Sequence, residues 1–189
     1  MNCDIDIKKA VDVLKQGGVI LYPTDTIWGL GCDARNADAV RRIYEIKKRE
    51  DSKAMICLVD SPNRLQKYFR NIPEVAWDLI DYAERPLTLI LDNAVNVAPN
   101  LVAEDGSLGM RVTKEQFSQQ LCFKFQSALV STSANISGQP SPKSFYDIPE
   151  EITSKVDYIV QFARGRKSDG RPSSIIKLTE DGSVTVIRR

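Results

Sequence analysis

The chain has 189 residues, 42% of them hydrophobic and 27% charged, with 26 basic and 25 acidic side chains. That fits one globular domain with a real core, and a net charge of +1 gives no support for a dedicated nucleic-acid binder. There is no histidine, which excludes Ser-His-Asp and Cys-His catalysis, histidine metal sites and a histidine base.

In chain order, residues 6–16 carry Ile7, Ala10, Val11 and Leu14 at helical spacing, closed by Gly17-Gly18 as a C-cap. Residues 19–22 read as a strand. Thr24, Asp25 and Thr26 then read as a turn with Gly29 and Gly31 at positive φ, or as backbone that comes close to a ligand. Asn36 is the expected N-cap of a helix over 37–47, with Val40, Ile43 and Tyr44 facing inward. Residues 54–59 form a second expected strand, and Pro62 and Pro73 suit the first turns of two short helices. Strands are expected at 87–91, 109–112 and 128–130, with a helix over 114–125. The Ser-, Pro- and Gly-rich segment 137–149 reads as loop. Strands at 158–160, 174–178 and 184–188 follow, the last two forming a hairpin across Glu180-Asp181-Gly182. Early alternation and late clustering of strands imply one α/β (α+β) domain over 1–189, a mixed sheet with helices packed on it.

The four cysteines, Cys3, Cys32, Cys57 and Cys122, form no CxxC pair, and Cys57 lies in an apolar run, so reduced, core-filling thiols are expected. The N-terminus lacks signal-peptide character and no uncharged stretch approaches a membrane span. The expectation is a cytoplasmic protein with no membrane contact.

Three polar segments follow apolar ones: Tyr22-Pro-Thr-Asp-Thr-Ile-Trp-Gly-Leu-Gly31, Lys47-Lys-Arg-Glu-Asp-Ser-Lys53 and Ser131-Thr-Ser-Ala-Asn-Ile-Ser-Gly138. Loops after buried strands are where α/β sheets bind ligands. Lys47, Arg49 and Lys53 read either as a solvated helix end or as a phosphate site, with Arg49 offering a planar fork and Lys53 a point charge. Ser131, Ser133 and Asn135 alternate so as to line one surface, or act as turn and cap residues. Arg111 lies in the apolar strand Leu108-Gly-Met-Arg-Val112, where burial demands a partner, as a structural ion pair or as an anion clamp.

Taken together, in order, with Leu108-Gly-Met-Arg111 and the late Ser-Ser-Ile-Ile run, these motifs resemble the YrdC-domain family, the threonylcarbamoyl-AMP synthases. The resemblance covers nearly the whole chain. It implies a single YrdC-like domain, a twisted mixed sheet with a concave ligand-binding surface. It also implies a nucleotidyltransferase that makes threonylcarbamoyl-AMP and pyrophosphate from L-threonine, bicarbonate and ATP, for the threonylcarbamoyladenosine modification at position 37 of tRNA. By motif, Thr26, Arg111, Ser131 and Ser174 match L-threonine positions. Arg49, Lys53, Ser107, Ser133, Asn135, Ser141 and Arg188 match ATP positions, and Lys47 with Arg49 completes the catalytic KxR pattern. Mg²⁺ is expected with the triphosphate and no metal is assigned to protein ligands. The resemblance further implies tRNA, or the complex that transfers threonylcarbamoyl to it, as a partner. The alternative of another class is an RNA-binding YrdC/YciO-like protein, contacting double-stranded RNA, with weak or different nucleotide chemistry. The chain departs from the family pattern at Leu58, at Glu84-Arg85-Pro86 and at Lys53-Ala-Met55.

Overall fold

The computed structural model describes residues 3–48, 55–168 and 170–189. Helix α1 (Cys3–Lys15) buries Ile7, Ala10, Val11 and Leu14, the stripe read from spacing, and Gly17 follows it at φ +78°. The left-handed turn reverses the chain into strand β1 (Ile20–Tyr22), which is buried throughout. Helix α2 (Ala37–Lys47) starts where expected, the Asn36 side chain accepting from the backbone N–H of Asp38 at 3.1 Å and of Ala39 at 3.0 Å.

One expectation fails between them. Gly29 and Gly31 have no positive φ; they lie in an extended strand, β2 (Gly29–Gly31), paired antiparallel with β1. The reason is close packing. A Cβ on Gly31 would lie 2.6 Å from the Tyr22 ring and 2.7 Å from the Val130 carbonyl oxygen, so only glycine fits.

The remaining strands are β3 (Ile56–Val59), β4 (Leu87–Leu91), β5 (Leu108–Val112), β6 (Leu129–Ser133), β7 (Tyr158–Ile159), β8 (Ser174–Leu178) and β9 (Val184–Arg188). Helices α3 (Val75–Asp81), α4 (Gln116–Phe125) and α5 (Glu150–Thr153) complete the set. Pro62 opens a 3-10 turn (Pro62–Lys67) rather than an α-helix, and Pro73 precedes α3, its carbonyl accepting from Ala76 N–H. The segment 137–149 contains one 3-10 turn, Phe145–Asp147, capped by Ser144.

The strands form one mixed sheet of order β7-β1-β2-β6-β3-β5-β4-β8-β9. Pairs β1–β7, β3–β5 and β4–β8 are parallel and the others antiparallel. The central strand β6 joins the two halves by pairing with β2 on one side and β3 on the other. Helices α1 and α4 pack together, and α4 also rests on β3. Cys32, Cys57 and Cys122 are free and fully buried, and burial pushes the Cys57 thiol up to about 12. Among the described residues no helix is long and apolar enough to cross a membrane.

Candidate active site

The register of the central strands places the site. Ile56 of β3 lies opposite Ser131 of β6 and Gly109 of β5, and Ser133 lies opposite Gly29 of β2. Cross-strand partners share a face. Gly29, Ser131, Ser133, Ile56 and Arg111 therefore form the floor of one cavity, of 340 Å³. One wall is the loop after β1, contributing Thr24, Thr26 and Ile27. The opposite wall comes from Pro172, Ser173 and Ile175 at the start of β8, with Arg188 of β9 and Ser141 at the rim.

The loop wall is stiffened internally. Thr24 Oγ1 donates to the Ile27 carbonyl at 2.8 Å and accepts from Thr26 N–H at 3.1 Å, leaving the Thr26 hydroxyl 3.1 Å from its own. A strap from β7 to β8 ties it down, the Ser168 hydroxyl donating to the Thr26 carbonyl and the Ser168 N–H to the Lys143 carbonyl at 2.8 Å. The strap is anchored to α1 through buried Asp6, whose carboxylate accepts from Tyr158 O–H at 2.5 Å, Gln161 N–H at 3.1 Å and Phe162 N–H at 2.7 Å.

Two cations converge on the cavity. Arg111 is buried, and its Nη2 lies 2.8 Å from Asp25 Oδ1, with side-chain exposures of 4% and 11%. Its Nε is buried without a hydrogen-bond partner. Arg188 donates through Nε to the Ser173 carbonyl at 2.9 Å and through Nη2 to the Ser173 hydroxyl at 3.3 Å. The Ser173 hydroxyl lies 2.9 Å from that of Thr88. Partial burial and the neighbouring Arg111 charge both depress the Arg188 pKa. Two guanidiniums sharing one cavity with seven hydroxyl side chains, four of serine and three of threonine, suit a ligand carrying several negative charges.

Of the residues named by motif, Thr26, Arg111, Ser131, Ser133, Ser141 and Arg188 line this one cavity. Ser174 does not, and faces a separate groove with Val75, Leu79 and Leu87. Its neighbour Ser173 lines the cavity instead, because strand alternation turns adjacent side chains to opposite faces. Ser107 is buried, its hydroxyl donating to Asp105 Oδ1 at 2.6 Å, outside the cavity lining. Asn135 braces its own loop, donating to the carbonyls of Ile136 at 3.0 Å and Gln139 at 2.7 Å.

Lys47 also departs from expectation. Its side chain is 1% exposed, and the ammonium donates to the Ser133 carbonyl and, at 2.8 Å, to the Asn135 carbonyl. A cation held this way braces the Ser133–Asn135 loop, which lines the cavity through Ser133. Arg49 and Lys53 lie outside the described residues. Leu58, register-paired with Arg111 and Leu129, is wholly buried. Arg85 lines a different cavity, of 540 Å³, behind the loop wall together with Asp25, Glu115 and Arg166. That cavity is larger, but Arg111 and Arg188 do not line it. Among the described residues no cluster of three or more His, Cys, Asp or Glu is placed to hold a metal ion.

Comparison with known proteins gives this geometry its context. The family model Sua5_yciO_yrdC, described as Telomere recombination, matches residues 12–189. A threonylcarbamoyl-AMP synthase of Pseudoalteromonas translucida is 35% identical, the match covering 93% of this chain and 94% of that protein. The structure of P. abyssi Sua5 complexed with L-threonine superposes with a TM-score of 0.83 at 30% identity, covering 91% of this chain and 50% of that one. This chain thus spans about half of that longer protein. E. coli YciO superposes with a TM-score of 0.85 at 26% identity, covering 100% of this chain and 90% of that one. The chain belongs to the Sua5/YciO/YrdC family.

Proposed function

We infer that this protein is a threonylcarbamoyl-AMP synthase, a nucleotidyltransferase that joins L-threonine, carboxylated on its amine, to the AMP moiety of ATP. The observation that carries this reading is the convergence of Arg111 and Arg188 on one hydroxyl-lined cavity. Threonine binds beside Arg111, Thr26 and Ser131, its carboxylate on the guanidinium. ATP binds along Ser133, Ser141 and Arg188, with Arg49 and Lys53 at the phosphates. Arg111 thus serves the amino acid and Arg188 the nucleotide.

The chemistry needs little covalent help from the protein. The threonine amine and bicarbonate condense to N-carboxythreonine with loss of water. A carbamate oxygen then attacks the α-phosphorus, forming a P–O bond as the bond to pyrophosphate breaks. Such transfers depend on alignment and charge neutralisation, which two arginines and a row of hydroxyls provide without a histidine. Mg²⁺ enters with the triphosphate as part of the substrate. The product is an activated carbamoyl donor for an adenosine amine of tRNA.

Pyrophosphate release, followed with ATP and bicarbonate, should depend on added L-threonine. Release at the same rate without threonine, or none with it, refutes the assignment. L-Serine should be the poorer substrate by about 1–3 kcal/mol in kcat/KM, the worth of one packed methyl.

A further inference from the structure

Asp25 stands between two cavities. Its neighbours Thr24 and Thr26 line the substrate cavity, whereas Asp25 lines the 540 Å³ cavity behind the loop. From there its carboxylate meets Arg111 Nη2 at 2.8 Å. Both side chains are almost wholly shielded from water, so each charge depends on the other.

Two features set this pair apart from a purely structural one. Arg111 lines the substrate cavity, its contact with Asp25 Oδ1 is an ion pair without an aligned hydrogen bond, and its buried Nε has no hydrogen-bond partner, although buried polar groups are ordinarily satisfied. The second feature is electrostatic. Arg188 repels Arg111 across the same cavity, and Asp25 supplies a negative charge at only one edge of the Arg111 fork.

We propose that Asp25 is the positioning residue of Arg111, holding one edge of the guanidinium from outside the cavity so that the rest of the fork stays available to the carboxylate of the amino-acid substrate. This rests on the reading that threonine binds at Arg111. It makes the two substrates respond in opposite senses when the Asp25 charge is removed. The amino acid loses an oriented fork, whereas polyanionic ATP meets a more positive cavity.

Asp25→Asn should therefore raise the threonine KM at least tenfold and leave ATP affinity unchanged or tighter. General damage to the fold would weaken both. Acidification should imitate the substitution. Burial raises the Asp25 pKa, Arg111 and Arg166 oppose that rise, and Glu115 at the start of α4 adds to it. The threonine KM of the unmodified protein should climb as pH falls through this raised value, and Asp25→Asn should lack that limb. Asp25→Glu, which keeps the charge, should recover most of the lost threonine affinity.

The experiment combines threonine KM, ATP titration calorimetry and NMR of the arginine side chains, with the Arg111 Nε–H signal assigned by its loss in Arg111→Lys. A held guanidinium gives separate Nη signals in the unmodified protein and averaged ones in Asp25→Asn. The proposal is overturned by an unchanged threonine KM in Asp25→Asn, by equal losses of both substrates, or by a Glu variant no better than Asn. If the unmodified protein shows no threonine-dependent turnover, the functional reading has failed. The NMR comparison then still decides: identical Arg111 spectra with and without the Asp25 charge overturn the positioning role.

Discussion

The two arginines of the cavity sit on strands of opposite character. Arg111 lies on β5, an interior strand, and is 3% exposed with a buried carboxylate beside it. Arg188 lies on β9, an edge strand whose five residues are all exposed, and it is held by hydrogen bonds to Ser173. Burial therefore separates their tasks. The interior arginine is set in place by folding itself, since a guanidinium without Asp25 would be a stranded charge. The edge arginine costs the fold little and is free to settle on a ligand after it arrives.

The sharpest way to break this comparison is Arg111→Met. It abandons Asp25 as a buried charge and should cost about 3–5 kcal/mol of stability, with loss of threonine-dependent turnover. A urea midpoint close to that of the unmodified protein would mean the interior arginine is not set by folding. A third cation extends the contrast. Lys47→Met removes charged donors from two loop carbonyls and should cost about 1.5–3 kcal/mol of stability, visible as a lowered melting temperature, with ATP binding falling through loss of the loop's shape. Full stability with selective loss of ATP binding would return Lys47 to direct contact with substrate.

Arg188→Ala should show the opposite balance. Stability should move by no more than about 0.5 kcal/mol, while ATP affinity falls by about 1.5–2 kcal/mol in calorimetric titration. Unchanged ATP binding would remove the edge arginine from the site. The smallest expected difference separates two neighbouring serines. Ser173→Ala loses contacts to Thr88 and Arg188 and should cost about 1 kcal/mol, whereas Ser174→Ala should fall within about 0.5 kcal/mol. Equal kinetic effects from the two would contradict their placement on opposite faces.

Much of the fold was legible because local signals agreed with one another. The stripe of α1, the Asn36 cap, and the bounds of β4, β8 and β9 all follow from periodicity and turn residues. Strand β2 was not, because Gly-Leu-Gly carries a single side chain with strand preference and its glycines answer to a tyrosine ring and a carbonyl on other strands. The family was legible in the order of its motifs, and its model matches residues 12–189. What each residue does was less so. Lys47 reads as a helix-end cation until the fold sets it against carbonyls 86 and 88 positions away. The choice between Ser173 and Ser174 turns on the phase of an alternation that a two-serine run does not reveal. Asp25 reads only as part of a turn and Ser168 carries no signal, since a lone carboxylate or hydroxyl in a loop ordinarily faces water.

The sheet order has a consequence for biosynthesis. The cavity takes Thr24 and Thr26 from the loop after β1, Ser131 and Ser133 from β6, and Arg188 from β9. No nascent segment that stops short of β9 contains the complete site. At about 5–20 residues per second, several seconds separate the synthesis of β6 from that of β9, an interval in which the cavity lacks one of its two guanidiniums. Substrates abundant in the surrounding fluid therefore gain no full hold on an unfinished chain. Their stabilising effect on the native state begins only once translation has delivered β9.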